Sequence, residues 1–113
     1  MPHSLRLSRE GITPETSRPD PAKVVKGDPV LTTWNVEETD GLYCGLWAST
    51  PGAWRMAYTE WEYFRILEGR AIVTDDAGPV HHLGPGDALL LRPGFSGTWE
   101  TVEPILKDYV IRA

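Results

Sequence analysis

Residues 54–69 read WRMAYTEWEYFRILEG. Aromatic and aliphatic side chains alternate with polar ones, and the run closes on a glycine, a texture that predicts a β-hairpin. Successive strand residues point to opposite faces, so those of equal parity share one. Glu62, Phe64 and Ile66 form one set, and Trp61, Tyr63 and Arg65 the other. Extended backwards, the first set gains Met56, Tyr58 and Glu60, unless a bend or bulge between Thr59 and Trp61 resets the phase.

The flanking sequence has the same character. Upstream, LTTWNV and LYCGLWAS read as strands separated by the polar break EETDG. Downstream come RAIVT, the tight turn DDAG (Asp75–Gly78), PVHHL, the turn GPGD, ALLLRPG, GTWETVE and ILKDYVI. That gives about eight strands with turn signals every eight to twelve residues, no convincing helix and no repeat, the pattern of a sandwich or jelly roll. Residues 1–28 are polar and interrupted by Pro14, Pro19 and Pro21, so they are expected to form an extended arm, either free or lying on a neighbouring subunit. Residues 29–113 then make a single domain, for which a chain of 113 residues is long enough.

Composition narrows the function. A formal net charge of -5 argues against nucleic-acid or anionic-membrane surfaces, and no apolar run is long enough to span a bilayer. MPHSLRLSREG has no apolar core of a signal peptide, and the lone Cys44 cannot form an internal disulfide, so a reducing, cytoplasmic setting is expected. Cys44 lies in an apolar run without a basic partner nearby and reads as an inert, buried thiol. His81 and His82, as neighbours in a strand, face opposite ways and do not make a metal site together. No phosphate-binding glycine loop and no GxSxG elbow occurs, and Ser96 in GFSGTWE lacks a placed base.

EYFRILEGRAIVTDDAG and GPGDALLLRPGFSGTWE, supported by GDPVLTTWN and VEPILKDYVI, resemble the two motifs and flanks of the cupin superfamily. The resemblance is to the small single-domain group related to ureidoglycine aminohydrolase and the ethanolamine-utilisation cupins, and covers roughly residues 27–111. It implies an all-β cupin-type double-stranded β-helix, or jelly-roll barrel, with Glu62, Phe64 and Ile66 facing inward. It also implies where metal ligands belong. The motif-one glutamate falls on Glu62, its two histidines on Met56 and Tyr58, and the motif-two histidine on Gly97. Only Glu62 of the customary four remains, so neither a metal nor another cofactor is expected.

The expected site is therefore built from other side chains. Glu62, Glu60 and Tyr58 are the candidate acid/base groups. Two ionised carboxylates two residues apart on one strand face repel, so one is expected to titrate high as part of a coupled pair, or both to grip a cationic amine. Met56, Trp47, Arg92, Trp99 and Tyr109 are the candidate ligand-binding wall, with Arg92 standing where the family pattern has proline and Arg55 on the outer face. In ILKDYVI, Leu106 and Val110 form the face expected to pack, while Lys107 and Tyr109 share the other. Three functions follow: binding of a small polar metabolite in a barrel without the histidine site; an atypical metal-dependent enzyme of the ureidoglycine aminohydrolase type using Glu62, Glu60 and Tyr58; or a non-catalytic dimeric accessory or sensor protein. An outer face bearing Trp61, Tyr63 and Arg65 suggests a homodimer.

Overall fold

The computed structural model describes residues 2–113. Among them are nine strands and one three-residue 3-10 turn, Pro21–Lys23. β1 (Glu15–Ser17) and β2 (Val24–Gly27) precede β3 (Leu31–Thr39) and β4 (Leu42–Ser49). The last two form a two-residue hairpin, Thr39 opposite Leu42, through Asp40 and Gly41 at φ 49° and 79°. Positive φ at both central residues matches the right-handed twist of the flanking strands, which is why Asp-Gly serves here. β5 (Gly52–Ala57), β6 (Trp61–Asp75), β7 (Val80–Leu83), β8 (Ala88–Leu91) and β9 (Ser96–Arg112) follow.

The barrel closes around β9. Its first half pairs with β5 on one side and with the far end of β6 on the other. Its second half pairs with β4 and with the near end of β6. β7 and β8 complete the β6 side, and the whole is the jelly-roll barrel expected of an all-β cupin chain. Trp54, Phe64, Ile66, Val73, Trp99 and Ile105 fill its interior. Beneath them Trp99 Nε1 donates to Thr101 Oγ1 at 2.8 Å, which donates to Ser49 Oγ at 2.9 Å, so the buried indole N–H is satisfied.

Several sequence expectations change. Residues 54–69 are not a hairpin: β5 and β6 form no ladder with each other, and both pair with β9 while residues 58–60 cross between them. EYFRILEG and RAIVT are one continuous strand, with register shifts between Ile66 and Ala71. Gly69 makes this possible. It sits at φ +87°, and a Cβ there would lie 2.0 Å from the Pro104 carbonyl oxygen. The bulge switches the inward set from Glu62, Phe64 and Ile66 to Ala71 and Val73. GTWETVE and ILKDYVI likewise merge into β9.

Residues 1–28 do not run free of the barrel throughout. β1 adds to the edge of β3 and β2 to the edge of β5, so residues 18–23 bridge the two edges of one sheet. Among the described residues no helix is long and apolar enough to cross a membrane.

Candidate functional site

A cavity of about 660 Å³ opens inside the barrel, and Met56, Tyr58, Glu60, Glu62, Trp99 and Tyr109 all contribute to its wall. Trp47 does as well, beside Trp54. Three tryptophans make one aromatic side: Trp47 stands edge-on to Trp99 at 5.4 Å, and Trp54 lies 6.3 Å from Trp99. Arg92 is the exception among the candidates. It is exposed in the turn after β8 and takes no part in the wall, because the backbone there turns to let Phe95 N–H bond its carbonyl oxygen.

Glu62 is the centre of the site. It enters on the inward face of β6, 2% exposed, with its neighbour Phe64 fully buried. Tyr58 reaches it from the crossing after β5. The Tyr58 backbone is held by bonds to Phe95 and from Gly94, and its ring meets Phe95 edge-on. From there the Tyr58 hydroxyl donates to Glu62 Oε1 at 2.6 Å. Burial above all, then the negative charge of Glu62, pushes the Tyr58 phenol far above its usual range, so it stays protonated and serves as a donor. Glu60 also lies in the wall, partly exposed, so the phase carried back from Glu62 survives the crossing.

The second oxygen of Glu62 is taken by a residue that strand-face reasoning left unassigned. Lys107 Nζ lies 3.1 Å from Glu62 Oε2, with 5% of the residue exposed. It also sits over three rings, 4.2 Å from the centre of Phe64, 4.5 Å from Trp47 and 4.7 Å from Trp99. An ammonium over aromatic faces is stabilised by their quadrupoles. In ILKDYVI Leu106 is buried, as expected of the packing face, but Val110 is not, and the cavity takes the other face. Lys107 and Tyr109 face the cavity, and Val110 looks outward, because Ile105, Lys107 and Tyr109 continue the inward set of Trp99 and Thr101. The signal was present in the sequence: a lysine sharing parity with Ile105 and Tyr109 on a strand that carries a barrel core. Lys107 thus sets a cationic group directly against Glu62.

Tyr109 donates to Asn35 Oδ1 at 2.9 Å, which brings β3 into the wall. Burial, helped by surrounding negative charge, pushes the Tyr109 phenol up to about 12. Arg55, at the rim, is turned outward to form a two-pronged pair with Asp76, whose carboxyl is drawn down to about 2 by that bond and by one from Ser96. Cys44 is half-buried, and burial followed by the charge of Glu37 raises its thiol above the usual range.

The residues present do not fit a cupin metal. Both Glu62 oxygens are engaged by donors, one of them an ammonium that repels a second cation. At the motif-two position a Cβ on Gly97 would lie 2.1 Å from the Thr74 carbonyl oxygen, so no ligand side chain can stand there. Among the described residues no three His, Cys, Asp or Glu side chains converge on a point.

Comparison with known proteins places this geometry in context. The model of the EutQ-like cupin domain matches residues 36–109, well over half of the chain. A solved DUF861-family protein of unknown function from Pseudomonas syringae pv. tomato superposes with a TM-score of 0.82 at 26% identity, over 93% of this chain and 46% of that one. The EutQ protein of Clostridium difficile gives a TM-score of 0.67 at 15% identity, over 74% of this chain and 63% of its own. Ectoine synthase from P. lautus gives 0.67 at 14% identity, over 73% and 63%. The chain thus spans about half the length of the first and under two thirds of the other two, and at these identities EutQ and ectoine synthase share its fold alone. No curated protein matches the chain.

Proposed function

The chain belongs to the EutQ-like cupin domain family, and on that premise we propose that it binds a small polar metabolite inside its barrel without a histidine metal site. The observation that carries this reading is the buried Tyr58–Glu62–Lys107 chain of hydrogen bonds facing a cavity of about 660 Å³ with tryptophan walls. Cavities of that size, mostly apolar with a few fixed polar groups, are what small ligands require. Glu62 already accepts from two donors, which suits it to hold a fixed charge pattern against a ligand. Glu60, nearer solvent, is the carboxylate available for proton transfer should a bound ligand react.

The test is a titration of intrinsic fluorescence with a panel of small amines, amino acids, carboxylates and polyols, since Trp47, Trp54 and Trp99 report on the wall. Saturable quenching that is lost in Glu62→Gln supports the reading. A flat response across the panel, with the barrel folded, overturns it.

The partner we propose is a second copy. Tyr63 and Leu90 are paired across β6 and β8 and are 38% and 42% exposed, beside Trp61 on the outer face. Sedimentation velocity of the wild type should give a dimer that Tyr63→Lys converts to monomer. The setting we propose is cytoplasmic, on the ground that the single cysteine, Cys44, forms no internal disulfide.

A further inference from the structure

The sharpest departure from a metal-binding barrel is what stands beside Glu62. We propose that Lys107 is the barrel's own tethered cation, its ammonium taking the place beside Glu62 that a bound metal ion takes in metal-binding cupins. The aromatic cage around it is then an organic-ammonium site that the chain fills with its own side chain.

Charge gives the first reason. A buried carboxylate without a counter-ion is costly, and here the compensating charge is covalently supplied at 3.1 Å from Oε2. Cage chemistry gives the second. Phe64, Trp47 and Trp99 face Nζ at 4.2, 4.5 and 4.7 Å. Ring faces suit a monovalent ammonium, which is less tightly hydrated than a divalent ion, whereas the divalent ion needs lone pairs to replace its water. Third is the tether itself. On β9 Lys107 lies opposite Trp47 of β4 and Ile66 of β6, so two ladders fix the base of the side chain, from which it reaches along the inner face of the neighbouring strand to Glu62. Finally, the positions that would feed a metal are closed: Met56 offers only a thioether, Tyr58 spends its proton on Glu62, and Gly97 has no room for a side chain.

One consequence is that the charge of the site does not depend on metal supply, and a ligand meets an N–H donor in place of a Lewis acid. Another is that truncating the lysine should leave a cage for the amine it removed. Lys107→Ala deletes the equivalent of propylammonium. The experiment therefore follows thermal unfolding and tryptophan fluorescence of wild type and Lys107→Ala with propylammonium chloride, propanol, sodium chloride or manganese chloride.

The variant should melt lower than wild type and regain about 4 °C or more with saturating propylammonium alone, while wild type does not respond. Should Lys107→Ala not fold, Lys107→Met and Lys107→Met/Glu62→Gln take its place. The double variant, with both charges removed, should melt higher than Lys107→Met. The proposal falls if manganese rescues as well as the amine or if propylammonium leaves a folded Lys107→Ala unchanged. It falls equally if Lys107→Met melts with wild type, or if wild type carries near-stoichiometric divalent metal that Glu62→Gln loses.

Discussion

At the scale of single residues, the site is a small electrostatic balance held away from water. Glu62 and Lys107 are both buried, so each depends on the other, and removing one partner of such a pair typically costs about 3–5 kcal/mol. Glu62→Gln should therefore lose stability of that order, seen as a lower urea midpoint with an unchanged m-value. Tyr58 adds a pH dependence whose sign is fixed by its raised pKa. The unfolded phenol titrates near about 10. The folded phenol titrates higher, so its contribution is complete below that pH and is lost as the pH rises further. Stability should then fall above about pH 10, by up to about 1.4 kcal/mol per pH unit for this one group. In Tyr58→Phe that alkaline decline should be shallower, with Tyr109 still contributing between about 10 and 12. A decline identical in both proteins would remove Tyr58 as its source.

At the scale of elements, two long strands do what the sequence reads as four. β6 and β9 each run past a local interruption, and both strands are needed for residues from opposite ends of the barrel to face one cavity. The device in β6 is Gly69, where positive φ and the approach of the Pro104 carbonyl leave no space for a side chain. Gly69→Ala should cost about 3 kcal/mol or more, since strain and overpacking act at the same atom. Circular dichroism melting would show it as a large drop in Tm or as insoluble protein. A melt within experimental error of wild type would mean that the bulge is not needed for the barrel. The breaks at Gly69 and Pro104 were visible in the sequence. That the ladder with the other strand continues across both was not, because partners distant in sequence supply those hydrogen bonds.

At the scale of the molecule, the segment before the barrel belongs to the site. Residues 18–23 span from the β1 edge to the β2 edge, and Glu15, Pro19, Asp20 and Lys23 line the cavity beside the barrel residues. This bridge buries little: β1 is exposed throughout and the 3-10 turn has no buried residue. Few apolar contacts mean low local stability, so its amides should exchange with deuterium well before those of β9. A chain lacking residues 1–23 should retain the barrel but expose Trp47, raising its quenching by acrylamide. Unchanged quenching in a folded truncation would show that the bridge does not cover the mouth.

The sequence by itself determined the local facts: alternation put Glu62, Phe64 and Ile66 on one face, turn residues marked the strand ends, and the missing histidines announced an unusual centre. Met56, Tyr58 and Glu60 were also legible, because a family register and period-two alternation suffice to aim a side chain inward, whereas Trp47, Trp99 and Tyr109 were wall candidates by residue type alone. Only the tertiary structure decided that Lys107 answers Glu62, that Arg92 stays outside, and that Glu15, Pro19, Asp20 and Lys23 of the N-terminal segment line the cavity. Periodicity gives the direction of a side chain relative to its own strand. Which charge it meets on a neighbouring strand depends on the register between strands far apart in the chain, here β6 and β9, and that is set by closure of the whole sheet.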